Sequence, residues 1–167
     1  MTKNKELVYS ALVAALYCVL TVCLSPISFG PVQFRLSEAL TLLAVFSPSY
    51  IMGLSLGCAL SNAIGFFMGV NILGAFDIVF GTAATALAAV CSYLFRKVRF
   101  KGLPIISAIF PAVFNGVIIG AEICIVLLND FSLPVFLTQA LYIAIPELII
   151  CLTLGLYIVK FKEKRSI

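Results

Sequence analysis

Ten of the eleven basic residues of this chain fall in three clusters, separated by long apolar stretches. Lys3 and Lys5 stand near the start. Arg96, Lys97, Arg99 and Lys101 form an interior cluster, and Lys160, Lys162, Lys164 and Arg165 form the last. Basic residues of membrane proteins collect on the cytoplasmic side. All ten share that side if an even number of helices separates each cluster from the next. The sequence therefore predicts an all-α integral membrane protein, a bundle of six transmembrane helices with the N and C termini cytoplasmic. Four helices precede the interior cluster and two follow it. Arg35 is the exception, and it is informative for that reason.

Composition removes most alternatives. Of 167 residues, 63% are hydrophobic and 11% charged, where a soluble domain carries about 25% charged residues. No polar half remains to build a soluble unit, so 1–167 reads as a single transmembrane domain. The net charge of +4 suits a lipid bilayer with anionic headgroups and, lacking a basic face with aromatics, argues for no nucleic acid. Six cysteines (Cys18, Cys23, Cys58, Cys91, Cys124, Cys151) are scattered without a C-x-x-C pair, and there is no histidine. They read as buried thiols, and neither metal nor cofactor is expected. The first segment imitates a signal peptide, but the apolar run 7–24 is long and lacks a small-residue cleavage pattern before Pro26. An uncleaved first helix is expected.

Helix one is expected over 5–24, followed by an uncharged outside loop with two prolines and a glycine. Helix two starts near Val32 and ends before Pro48, about 24 Å at ~1.5 Å per residue. That is short for a hydrocarbon core of ~30 Å, so the preceding loop should dip into the protein. Helix three is expected over 48–67, where Gly53, Gly57 and Ser61 permit close approach to a neighbour. Helix four follows over 73–95, helix five over 103–128 and helix six over 133–159. Pro111 and Pro146 lie inside the last two and free the carbonyls of Ser107 and Tyr142, which must face another helix or a polar cavity.

Five ionisable residues lie within or beside these spans: Arg35, Glu38, Asp77, Glu122 and Glu147. A charge at the centre of a membrane helix costs at least ~2.5–3.5 kcal/mol on insertion scales. Arg35 and Glu38, three apart, can pair on one helical face. Three carboxylates are then left without an internal cation. Glu38, Asp77, Glu122 and Glu147 all fall toward the outer half of the bundle, with the amides of Asn62, Asn71 and Asn115 on nearby levels. This pattern suggests a pocket open to the outside, in which Asp77 and Glu147 bind ligand, Glu122 does so on weaker grounds, and Arg35 organises. Structural hydrogen bonding between helices is the alternative for the acids, and ligand contact is the alternative for Arg35. A carboxylate matches the paired N–H donors of a guanine-like edge, and a second could neutralise an aminomethyl cation. Phe29, Phe34, Phe76 and Phe80 could stack on a flat heterocycle, or simply pack.

The stretch PISFGPVQFRLSEALTLL from Pro26 to Leu43 resembles the signature region of the QueT family, whose members are substrate-binding S components of energy-coupling factor (ECF) transporters. The likeness continues through Gly57 to Asn62, Asp77 to Gly81 and Pro146 to Leu148. The resemblance implies the six-helix ECF S-component fold in the plasma membrane of a bacterium, capturing a queuosine precursor of the deazaguanine type from outside. It implies two kinds of partner, a transmembrane T protein and two ATP-binding-cassette ATPases. Hydrolysis belongs to those ATPases, because this chain has no G-x-x-x-x-G-K-[ST] motif and is not expected to be an enzyme. S components dock through an A-x-x-x-A pattern on helix one, supplied here by Ala11 and Ala15, with Ser10 and Ala14 extending the small surface. Loop one, about 25–34, is expected to close over the ligand. Two alternatives stay open: the same fold with another vitamin or nucleobase as cargo, and a stand-alone proton-coupled carrier. An intramembrane enzyme is disfavoured, since no nucleophile–base pair can be assembled.

Overall fold

The computed structural model describes residues 3–165. Among the described residues, five helices are long and apolar enough to cross a membrane, over 4–23, 49–67, 76–94, 105–128 and 133–164. They are α1 (Lys3–Cys23), α3 (Ser49–Phe67), α4 (Phe76–Leu94), α5 (Ile105–Ile123) with a π-helical extension over Cys124–Leu128, and α6 (Leu133–Ile150), which runs through a π-helical turn at Cys151–Gly155 into α7 (Leu156–Arg165). A four-residue helix, α2 (Ser25–Ser28), follows α1.

The second expected span is the main departure. Instead of an α-helix from Val32 to Pro48, the chain forms a 3-10 helix over Leu36–Val45. Ten residues at ~2.0 Å rise reach about 20 Å, short of the ~30 Å core. Nine of the ten are buried, and the element touches α1 and every one of α3 to α7. It is an axle enclosed by the other helices rather than one more helix of the ring. The dip expected of loop one is the visible consequence: Ser28, Phe29, Gln33 and Arg35 are buried. Helix four also starts three residues late, because Gly74 adopts φ +67, a left-handed turn that an α-helix cannot include.

Around this axle, α1 packs on α3, α3 on α4, α4 on α5 and α5 on α6. The α1–α3 contact is parallel. The ideal Cβ of Gly53 would lie 2.3 Å from the Ser10 carbonyl oxygen, and that of Gly57 would lie 2.8 Å from the Ala14 carbonyl oxygen. The glycine ladder is therefore the seat of α1, as its spacing suggested. Two parallel neighbours need a return leg between them, and 24–48 supplies it. Helices α5 and α6 meet antiparallel through Gly116 and Gly120 against Ala144 and Ala140.

Pro111 explains a contact between α4 and α5. It leaves the Ser107 carbonyl without its helical donor, and the Ser92 hydroxyl donates to that oxygen at 2.8 Å. The Ser107 hydroxyl returns a bond to the Ser92 carbonyl at 2.9 Å. The freed group faces another helix, as expected.

The charge clusters gather at one end. The Ser10 hydroxyl donates to the Ser49 carbonyl, Lys162 donates to the Tyr50 hydroxyl at 2.7 Å, and Arg99 pairs with Glu163 at 2.5 Å. These contacts bring the first turns of α1 and α3, the α4–α5 loop and α7 to one level. Of the cysteines, Cys58, Cys124 and Cys151 are buried, whereas Cys23 is exposed and Cys18 and Cys91 are half-buried. The reading of all six as buried thiols holds for three.

Candidate ligand site

At the opposite end, α4 opens with Asp77 in its first turn, where the helix dipole favours a carboxylate. Its Oδ2 accepts from Arg35 at 2.8 Å and from the Asn71 amide at 2.9 Å, while the Asp77 carbonyl accepts from the Asn62 amide at 2.7 Å. All four residues are buried. The expected Arg35–Glu38 pair does not form. Arg35 is the last extended residue before the 3-10 helix, at φ −89 and ψ 95, so it does not share a helical face with Glu38. Its guanidinium turns to Asp77, donates to the Ser28 carbonyl at 3.2 Å and lies 5.5 Å from the Phe29 ring centroid.

Phe29 closes that side. Its ring occupies the space where a side chain on Gly65 would be, 2.7 Å from the ideal Cβ, so loop one is clamped to the end of α3. Gly81 serves Asp77 likewise, since a Cβ there would lie 2.4 Å from Asp77 Oδ1.

One level deeper, Glu38 is held entirely by hydroxyls. Tyr17 donates to Oε1, Thr85 donates to the same oxygen at 3.0 Å, and Thr41 donates to Oε2 at 2.8 Å. Glu147 takes both its bonds from the Asn115 amide, at 3.0 and 2.8 Å. It lies within electrostatic reach of Glu38, Arg35 and Asp77. Among the described residues, the buried interior thus holds one cation and four carboxylates.

Glu122 stands apart. It is 4% exposed, yet neither carboxylate oxygen has a hydrogen-bond partner. It lines a groove of about 680 Å³ between α4 and α5, whose walls include Phe76, Phe80, Ala83, Val117 and Ile125. Asp77 and Arg35 are within its electrostatic reach. Phe76 and Phe80 therefore face this groove, while Phe34 is at the surface at 36% exposure. Of the four expected rings, only Phe29 joins the buried cluster.

The groups left unpaired define what the buried interior can bind. They are Gln33 Nε2 and Oε1, Asn62 Oδ1, Asp77 Oδ1, Asn115 Oδ1, both Glu122 oxygens and the hydroxyls of Ser28 and Thr82. Six of the nine atoms only accept, one only donates and two can do either. Buried polar groups are normally satisfied, so an acceptor surplus fits a ligand rich in N–H donors. Sequence reasoning named Asn62, Asp77, Asn115 and Glu122. It missed Gln33 as a candidate and the hydroxyl cradle of Tyr17, Thr41 and Thr85. A tyrosine in the middle of the first apolar run was the available signal for the cradle. The α1 motif divides: Ala11 and Ala15 are exposed, whereas Ala14 is buried and Ser10 half-buried against α3. Ser10 and Ala14 therefore do not extend the outward small surface.

No solved structure matches this chain at a significant level. A protein of Lactococcus lactis subsp. cremoris (strain MG1363), named queuosine precursor transporter QueT, is 46% identical over 67 residues. That alignment covers 39% of this chain and 40% of the relative. The profile of the QueT transporter family matches residues 7–164, and the chain belongs to that family.

Proposed function

We infer that this chain is the substrate-binding S component of an ECF-type importer, taking up a queuosine precursor of the deazaguanine type. It sits as one domain in a bacterial plasma membrane with both termini cytoplasmic. The return leg 24–48 counts as the sixth crossing, made by loop one and the axle together. The observation that carries the reading is the acceptor surplus among the buried polar groups, which includes Asp77 Oδ1 and Asn62 Oδ1 beside the Arg35–Asp77 pair. A guanine-like edge offers adjacent N–H donors to such a set. The named relative supports the cargo. Among site residues, Asp77, Asn62, Asn115, Glu147 and Gln33 face the ligand, and Phe29 covers it. Arg35 and Glu38 hold the walls in place. ATP hydrolysis falls to partner ATPases, reached through a transmembrane T protein that docks on Ala11 and Ala15.

Calorimetric titration of the purified chain in lipid nanodiscs tests this, using an aminomethyl deazaguanine beside guanine, thiamine, riboflavin and biotin. Binding of the deazaguanine alone is expected. The Gln33→Met variant should bind it about ten-fold more weakly, the scale of a lost buried hydrogen bond, without a lower thermal midpoint. Binding of a different member of the panel would transfer the site to that cargo. A stand-alone proton-coupled carrier is the second reading, favoured by Glu122 having no counter-charge in contact. Uptake by proteoliposomes holding this chain alone, driven by a pH gradient, would establish it instead.

A further inference from the structure

We propose that the groove between α4 and α5 is a lipid site on the membrane-facing surface, taking a phospholipid whose headgroup ends in a primary ammonium. The site is independent of which cargo the chain carries.

Phe76, Phe80, Val117 and Ile125 line the groove and are all exposed, so in a bilayer its mouth faces lipid. Every wall except Glu122 is apolar, and the space of about 680 Å³ suits an acyl chain. Glu122 is the anomaly on this surface. It is 4% exposed, and neither of its oxygens has a hydrogen-bond partner. A carboxylate in such surroundings is unfavourable until a cation or donors reach it. It also has no bond to break when an oxygen turns toward the groove. Depth places it within reach of a headgroup. Leu128 closes a 24-residue span six residues beyond Glu122, about 9 Å at ~1.5 Å per residue. Charge then selects the headgroup. A primary ammonium brings three N–H donors and the opposite charge, whereas a choline brings the charge without a donor. An anionic headgroup finds no cation here. Arg35, buried against Asp77, is the only basic residue between Lys5 and Arg96, and none lies between Lys101 and Lys160. The exposed Asp130 beyond the end of the span adds repulsion. A partner helix would have to carry a lysine or arginine to the same depth, at an insertion cost that a headgroup does not bear.

The test titrates five lipids with identical acyl chains into the purified full chain in maltoside micelles at pH 7. They are phosphatidylethanolamine, its N-methyl and N,N-dimethyl derivatives, phosphatidylcholine and phosphatidylglycerol. Thermal midpoints are read against the lipid-free value of the same protein. Phosphatidylethanolamine should half-saturate at about a ten-fold lower mole fraction than phosphatidylcholine, as for a charge-assisted bond. At ten times that fraction it should raise the midpoint by about 3–6 °C. Stepwise methylation should weaken the response in order, as N–H donors are lost. In Glu122→Gln, nearly isosteric, the response to phosphatidylethanolamine should fall to that of phosphatidylcholine, which should itself be unchanged. Equal responses of the wild-type protein to these two lipids would overturn the site, and are the result expected if a partner helix fills the groove instead. A preference for phosphatidylglycerol would overturn it too, as would a preference for phosphatidylethanolamine that survives Glu122→Gln. The methylation series needs only the wild-type protein, so it decides the matter even if the variant fails to fold.

Discussion

At the residue scale, the Arg35–Asp77 pair controls whether the end away from the basic clusters holds together. Both side chains are buried, and removing one partner of a buried pair strands the other charge at a cost of about 3–5 kcal/mol. Asp77→Asn should therefore lower stability as well as binding, and a loss of affinity in that variant alone would not assign a contact. The double variant Arg35→Met with Asp77→Leu should recover much of the stability, because an apolar pair of similar volume replaces both charges. Reversible unfolding in mixed micelles measures the cycle, and additive effects would contradict coupling of the two side chains. Glu122 predicts the opposite sign. Its carboxylate gains no bond in the ligand-free protein, so Glu122→Gln should raise the ligand-free thermal midpoint by about 2–4 °C, the response to roughly 1 kcal/mol in a chain of this size. A lower midpoint would mean that Glu122 is structural.

At the element scale, the composition of the apolar runs anticipated five helices, one proline contact and one glycine ladder. The central element was less legible. Residues 36–45 are apolar enough for a span, but nothing in a hydropathy pattern separates a ring helix from an enclosed one of the same composition. Only their shortness hinted at it. The site was legible as a set of residue types, because charge in lipid is costly wherever it falls. Its pairing was not legible, since partners depend on where Arg35 leaves extended backbone for the helix and on side chains brought from four elements. Helix packing itself is open to test through Pro111. Ser92→Ala removes the donor to the Ser107 carbonyl and should cost about 0.6–1.7 kcal/mol, the range of interhelical hydrogen bonds in membranes. In a Pro111→Ala background the restored amide can serve that carbonyl, so the same substitution should cost less. Equal costs in both backgrounds would show that the serine pair does not compensate for the proline. Gly57→Leu should do more damage than either, because a Cβ alone would stand 2.8 Å from the Ala14 carbonyl oxygen and from the Tyr17 Cβ, and overpacking of this kind costs about 1–3 kcal/mol.

For the whole molecule, the contacts Ser10–Ser49, Tyr50–Lys162 and Arg99–Glu163 assemble a basic end, and the Arg35–Asp77 pair at the start of α4 lies at the other. On the proposed reading, the partner-docking face of α1 and the ligand site are separate surfaces. Two classes of variant separate with them. Ala15→Leu, on the exposed face of α1, should leave ligand affinity and thermal midpoint unchanged while reducing copurification with a T protein. Orientation in the bilayer can be read independently of either. Asp130, exposed in the loop between α5 and α6, and Lys101, exposed in the loop between α4 and α5, lie at opposite ends of α5. With Cys23 replaced by serine, Asp130→Cys should react with a membrane-impermeant maleimide on intact cells. Lys101→Cys should react only after the cells are opened, because the three basic residues left in the cluster, Arg96, Lys97 and Arg99, favour the cytoplasmic side. Labelling of Lys101→Cys on intact cells would invert the protein, turn the Arg35–Asp77 end inward and rule out capture of a ligand from outside.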